Sequence, residues 1–191
     1  RLVGARSWLH IQDFEVDARS GLLLGGSGSL DEATASLSLG TKQDSYYLQG
    51  STAWSEQSRF ELPATFLPTA TENGGMRDHS RARDWSLHLK AGYTPNDTDE
   101  YSISYLKQTA GKDAPFAVSD PVSTQRDWSW PYWDISSVYF LSSTALSDTS
   151  YVKTRLYYNT FTNGLFSYDN ANYNTQTLPK AFRSYYDDYA Y

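Results

Sequence analysis

The chain has 191 residues and a formal charge of −6; aromatics make up 16% of it, but hydrophobic residues only 39%, and the mean hydropathy is −0.60. The absence of cysteine excludes disulfides and thiolate metal sites, and no segment reaches the ~18 consecutive apolar residues of a membrane-spanning helix. The basic residues do not gather into the patch that a nucleic-acid binder carries, so no nucleic-acid partner is expected.

Residues 1–13 carry no assignable pattern and stand as an unassigned segment, followed by one β-rich region over 14–191. No charged stretch followed by an apolar one opens the chain, so export would rely on a leader removed or lying upstream. From Phe14 onward the dominant hydrophobic period is two, the period of a sheet with two unlike faces. Phe14, Val16, Ala18, Leu22 and Leu24 oppose Glu15, Asp17, Arg19 and Gly21, which predicts one strand over Phe14–Leu24. Gly25-Gly26-Ser27-Gly28 lacks the lysine of a phosphate loop and is expected to be a flexible turn within a Leu24–Asp31 link. Ala33, Ala35, Leu37 and Leu39 alternate with Thr34, Ser36 and Ser38, and Tyr46, Leu48, Gly50, Thr52 and Trp54 with Tyr47, Gln49 and Ser51.

The clearest strand follows. Trp85, Leu87, Leu89, Ala91 and Tyr93 alternate with Ser86, His88, Lys90 and Gly92. This aromatic-capped stripe has the ~9–11 residue length of a tilted membrane strand. Tyr101, Ile103 and Tyr105 oppose Ser102 and Ser104; Trp133, Ile135, Tyr139 and Leu141 form one face of the next run, with Val138 and Phe140 on the other. Val152, Thr154, Leu156 and Tyr158 oppose Lys153, Arg155, Tyr157 and Asn159, and a last run occupies Tyr185–Tyr191.

The connections alternate in length. Short links at Thr41–Asp44, Thr94–Asp99 and Ser143–Asp148 contrast with long polar ones at about Ser55–Asp84, Thr109–Pro131 and Thr162–Arg183. Pro, Asn and Asp in several of the short links supply turn geometry, and long structureless loops are uncommon in compact soluble domains. Short turns on one rim and long loops on the other are the habit of outer-membrane barrels. The expected fold is therefore all-β: an antiparallel up-and-down meander of about eight strands, a partial transmembrane β-barrel in the form of a curved open sheet. Counting the connections, the first strand runs outward from the periplasm.

Leu87-His88-Leu89-Lys90-Ala91-Gly92-Tyr93-Thr94-Pro95 ahead of Asp99-Glu100-Tyr101-Ser102-Ile103-Ser104-Tyr105 carries a likeness to a known family. So do Phe14-Glu15-Val16-Asp17-Ala18-Arg19, Ala35–Gly40 and Gln49–Trp54 before it. A strand ending at a Gly-Tyr-x-Pro turn before a polar, aromatic strand resembles the early barrel of a TonB-dependent outer-membrane receptor, over about Phe14–Tyr191. The resemblance implies a barrel of about 22 strands plugged by an N-terminal domain that contacts TonB. It also implies energy-coupled uptake of a scarce nutrient, foremost a ferric siderophore or similar iron complex. Plug and later strands are missing from this pattern, so the chain is expected to be a fragment, with TonB reached only through the absent plug. The implied setting is the bacterial outer membrane, with lipid and lipopolysaccharide as partners.

No nucleophile–base pair, carboxylate pair or metal spacing is recognisable, so no enzyme, cofactor or metal site is expected; His10, His79 and His88 lie in separate elements. The Asn96-Asp97-Thr98 sequon falls in a tight turn and is set aside. Candidate ligand contacts are Arg77, Arg81 and Arg83 in the first long loop and Arg126, Trp128, Trp130 and Tyr132 in the second. Arginine forks pair with oxyanions and aromatic rings offer flat faces. Lipopolysaccharide phosphates and the bilayer edge call for the same residue types. Two other functions compete: a complete eight-stranded barrel serving as anchor or adhesin, and a secreted carbohydrate-binding β-sandwich.

Overall fold

The computed structural model describes residues 14–17, 20–28 and 32–191, the first two stretches as backbone alone. Its strands are β1 (Phe14–Asp17), β2 (Ser20–Gly28), β3 (Glu32–Lys42), β4 (Tyr46–Gln57), β5 (Ala82–Tyr93), β6 (Glu100–Asp113), β7 (Asp127–Ser147), β8 (Ser150–Tyr168) and β9 (Phe182–Ala190). They form one antiparallel sheet in chain order, with β1 and β9 as its open edges. The up-and-down meander expected from the period of two is thus present. Residues 1–13, including His10, lie outside the described residues.

Near the start of the sheet, two features differ from the expectation. The single strand over Phe14–Leu24 is a hairpin, β1 pairing with β2 through Phe14↔Leu22 and Glu15↔Gly21. The glycine run is no turn: Gly25, Gly26, Ser27 and Gly28 pair with Ser36, Ala35, Thr34 and Ala33. Glycine is a poor strand former by entropy, yet here a full-length neighbour supplies every ladder partner. The Leu24–Asp31 link shrinks to residues 29–31, outside the described residues, and β2 still runs towards the long-loop rim.

Residues opposed across an antiparallel ladder share a face. One face carries the row Leu39, Gly50, Leu89, Tyr105, Val138 and Tyr158. The next row towards the short turns holds Leu48, Ala91, Ile103, Phe140 and Leu156, and the one beyond it Tyr46, Tyr93 and Tyr101. The opposite face over β3–β6 is polar, with Ser36, Ser38, Gln49, Ser51, Ser86, His88, Lys90, Ser102 and Ser104.

β7 keeps the expected grouping, and its register assigns the two faces. Its register puts Val138 and Phe140 on the apolar face, and Trp133, Ile135, Tyr139 and Leu141 on the other. Both faces of this strand are greasy, so periodicity alone did not say which of them joins the apolar band. β7 and β8 are also longer than the alternation suggested: the expected link at Ser143–Asp148 is mostly strand, and only residues 148–149 turn. The long links narrow to residues 58–81, 114–126 and 169–181.

No large apolar side chain is buried among the described residues; the buried ones are polar, among them Ser102, Ser129, Ser137 and Ser167. Leu89 is 46% exposed, Ile103 54% and Leu156 61%. Trp54, Trp85 and Tyr93 are exposed as well. The stripes do not converge on a core, and no second sheet faces them among the described residues.

Candidate functional site

The three long loops leave the same rim and are latched to one another. In residues 58–81, Gly74 and Gly75 adopt positive φ of 89° and 75°, a conformation that favours glycine. They let the chain double back so that Leu62 N–H reaches Gly75 O at 2.7 Å and Arg77 N–H reaches Phe60 O at 2.8 Å. Ser80 ties the base by donating to Arg77 O at 2.8 Å and accepting Phe60 N–H. Glu72, buried, accepts Asp78 N–H at 3.1 Å.

The folded first loop then grips the second. Arg77 donates to Phe116 O at 2.6 Å, its guanidinium 5.9 Å from the Phe60 ring centroid. Thr71 donates to Ala117 O, and the His79 ring lies 4.6 Å from Phe116. The third loop closes on the same point. Tyr173 Oη and His79 Nδ1 are 2.5 Å apart, and Tyr173 donates to Trp128 O at 3.3 Å. His79 and Tyr173 both hold positive φ, 57° and 54°, a strained state for non-glycine residues that surrounding contacts must enforce.

Carboxylates anchor this cap. Buried Asp113 accepts Arg81 Nε at 3.2 Å and Ser129 Oγ at 2.8 Å; the hydrogen bond to its carboxylate holds the Arg81 guanidinium above its ordinary value. Lys180 meets Asp127 at 3.7 Å. Burial pushes the Tyr173 phenol well up, with Asp113 and Asp127 reinforcing and Arg81 opposing, so it acts as a neutral donor. In the third loop Asp169 accepts Thr177 N–H, Thr177 Oγ–H and Leu178 N–H. Although desolvation opposes it, these bonds hold the carboxyl below its usual range.

The predicted ligand residues are therefore divided. Arg77, Arg81 and Trp128 belong to the cap, where Arg81 is neutralised and Trp128 packs between Trp130 and Phe182. Arg126 stands apart, donating to its own loop's Thr124 O and Gln125 O. Trp130 lies under Lys112, whose ammonium sits 5.2 Å from its ring and 5.7 Å from that of Trp133. Arg83 and Tyr132 come together in a trough of about 360 Å3 with Trp54, Trp85, Thr109 and Asp134.

On the polar face, Trp133, Phe161 and Tyr186 form an aromatic row with centroids 5.1 and 5.7 Å apart. Phe116, Tyr173 and Asp113 escaped the sequence reading, which named His79 without giving it a role. Their partners lie 16 to 94 residues away, so no local spacing could have flagged them. A second hollow, lined by Tyr168, Tyr173, Asn174, Gln176, Phe182 and Arg183, flanks the third loop. There Arg183 is steered by Gln176 Oε1 at 2.6 Å and lies over Phe166. Among the described residues no group of three His, Cys, Asp or Glu side chains could hold a metal ion. Comparison of the chain with protein families, with curated proteins and with solved structures finds no match.

Proposed function

We propose that the chain forms an arc of an outer-membrane β-barrel wall, in a receptor of the TonB-dependent kind. The observation that carries this reading is the open sheet without a single large buried apolar side chain among its described residues, whose apolar rows run along one face from β3 to β8 while the other face is polar over β3–β6. In water such a face has no reason to stay uncovered, whereas against hydrocarbon it is the face a barrel needs.

Three features support it. Tyr46, Tyr93 and Tyr101 line the band's edge at the short-turn rim and Trp54 and Trp85 its other edge, as girdles do. From Tyr93 to Trp85 is eight residues, about 26 Å along the strand and ~20 Å of height at a ~40° tilt. The band also drifts. Its loop-side end is Ala33 on β3 but Tyr158 on β8, and Tyr158 lies in the row of Leu39, six residues along β3. That is close to one residue per strand, the stagger that tilted strands require to keep a belt level.

The wet face then turns inward, and the cap of long loops looks outward from the cell. Trp133, Phe161 and Tyr186, with Lys112 over Trp130 and Trp133, offer ring faces beside a cation. Such a surface suits an anionic, aromatic nutrient complex such as a ferric siderophore. Lipid and lipopolysaccharide are the partners of the outer face, the bacterial outer membrane is the location, and TonB would act through a plug domain.

The test is insertion. The full chain is folded with phosphatidylcholine vesicles whose acyl chains carry bromine at defined depths, and tryptophan quenching is read in single-Trp variants. Trp85 should be quenched by shallow bromines, and a tryptophan replacing Leu89 by deep ones. Trp133 should be spared. Equal quenching of Trp85 and Trp133, or none at all, overturns the membrane reading.

A further inference from the structure

On the apolar face, where the β5 stripe ends towards the long loops, lies the trough formed by Trp54, Arg83, Trp85, Thr109, Tyr132 and Asp134. Trp54, Trp85, Thr109 and Asp134 fall in one ladder row. β6 lines it with Thr109 and Ala110 and continues past them with Gly111, so the sheet surface dips there between large neighbours. Gly111 has no room for more: a Cβ would come within 2.9 Å of Pro131 O and 3.2 Å of Arg83 Nε.

The dip is built by a bulge. Pairing shifts between Ala110 and Lys112 on one side of β7 and between Ser129 and Tyr132 on the other. Pro131, which has no N–H for the ladder, sits where the shift frees it from that duty. Bulges re-aim side chains; here Tyr132 lies across Gly164, whose Cβ position would be 2.8 Å from the ring. Arg83 crosses over Gly111 and donates to Pro131 O at 3.2 Å. The result is a slot with aromatic walls, an arginine and an aspartate.

We propose that this trough binds the sugar ring of a membrane glycolipid. A pyranose presents a C–H face and a rim of hydroxyls. Trp85 and Tyr132 supply flat apolar walls, while Asp134 accepts and Arg83 donates along the rim. Arg83 and Asp134 cancel in charge, and Asp84, also on the lining, is engaged by Gln108. The slot carries no excess positive charge, which favours an uncharged polyhydroxylated ring over a phosphate. Its position selects the source. Leu87 and Leu89 continue from Trp85 down the same face of β5, so acyl chains attached to the ring would lie along the apolar band. The lipid source rests on the membrane reading above.

The experiment uses the full chain in phosphatidylcholine vesicles with and without a monohexosyl diacylglycerol, extracted mildly and analysed for retained lipid by native mass spectrometry. The glycolipid should be retained in preference to phosphatidylcholine. Asp134→Asn and Trp85→Leu should each lower that preference about tenfold, the scale of one lost charge-assisted contact. Asp97→Asn in the opposite-rim turn should leave it unchanged. Insertion with no glycolipid preference, or a preference indifferent to Asp134→Asn, overturns the sugar site while leaving the barrel wall standing. Failure to insert into plain phosphatidylcholine vesicles removes the membrane reading and the lipid source together. Equal binding of a free methyl hexoside in detergent would assign the slot to soluble sugar instead.

Discussion

Placing a charge on Leu89 separates a lipid-facing sheet from a wet one. Leu89 lies midway between Tyr93 and Trp85 on β5, about 10 Å above the tyrosine edge at a ~40° tilt. In water, a leucine already 46% exposed has only part of its transfer energy to lose, so Leu89→Arg would cost about 1 kcal/mol. At the centre of a bilayer the same change costs about 2–4 kcal/mol, falling to ~0–1 near the interface. His88, its neighbour, sits on the polar face, so His88→Arg should cost within about 0.5 kcal/mol in either setting. The assay is reversible denaturant titration of the full chain in phosphatidylcholine vesicles, followed by tryptophan emission. Tyr93→Arg serves as the interfacial member of the series. Expected is a depth-graded penalty on odd-numbered positions of β5 and none at His88. Matching penalties at 88 and 89, or a Leu89→Arg cost that does not exceed that at Tyr93, would refute the two-faced reasoning.

A Cβ at Gly92 would overlap the Tyr47 ring, which Glu100 holds by accepting its hydroxyl at 2.6 Å and Lys90 overlies at 5.2 Å. Gly92→Ala should therefore cost about 1–2 kcal/mol, and the cost should vanish in a Tyr47→Ala background when both are measured by denaturant titration. Asp113→Asn removes the partner of Arg81 and weakens the hold on Ser129. Because Arg81 is half exposed, the loss should be about 1–3 kcal/mol rather than the full cost of a buried pair. It should appear as faster proteolysis within residues 58–81. Asp99 is held below its ordinary value by accepting Ala145 N–H, with Asn96 and Thr98 assisting. A lowered carboxyl stabilises above the unfolded-state value and loses that contribution as pH falls through the folded one. Protection of the Ala145 amide, taken relative to its intrinsic exchange rate, should thus be lost only once pH drops below the usual aspartate range.

The period of two made the strands legible because a one-residue slip would turn every side chain to the wrong face. Ala33–Leu39, Tyr46–Trp54, Trp85–Tyr93, Tyr101–Tyr105 and Val152–Tyr158 all lie on the face the alternation assigned. Where the signal failed, a physical reason is visible. β7 carries aromatic residues on both faces, so alternation there contains no choice. Gly25–Gly28 has no side chain but that of Ser27 and so nothing to alternate, and its strand state comes from β3 beside it. The cap was hidden for a third reason. Arginines 77 and 81 looked free in the sequence, but their partners, Phe116 O and Asp113, arrive from another loop. Of the residues chosen for ligand contact, Arg83 and Tyr132 were brought together by a bulge around Gly111 and Pro131 that spacing does not encode.

A sheet of this size cannot stand on its ladder alone. Fixing each residue's backbone costs about 1–2 kcal/mol, and the apolar burial that normally offsets this is missing among the described residues. Cover must come from outside, and hydrocarbon on one face supplies it only if no backbone group is left bare in lipid. That condition falls hardest on β8. β9 pairs with Asn159–Ser167 and leaves Ser150–Tyr158 with no β9 partner, and this bare stretch carries the exposed stripe Val152, Leu156 and Tyr158. A lipid-facing stripe beside an unpaired ladder is tolerable only once another strand zips onto it. In vesicles holding this chain alone, a second copy can supply that strand. Cysteines placed at Lys153 and at positions along β9 should then form disulfides between chains upon insertion. A monomeric inserted state without such cross-links would overturn pairing between copies and mean that β8 is covered within one chain or does not meet lipid.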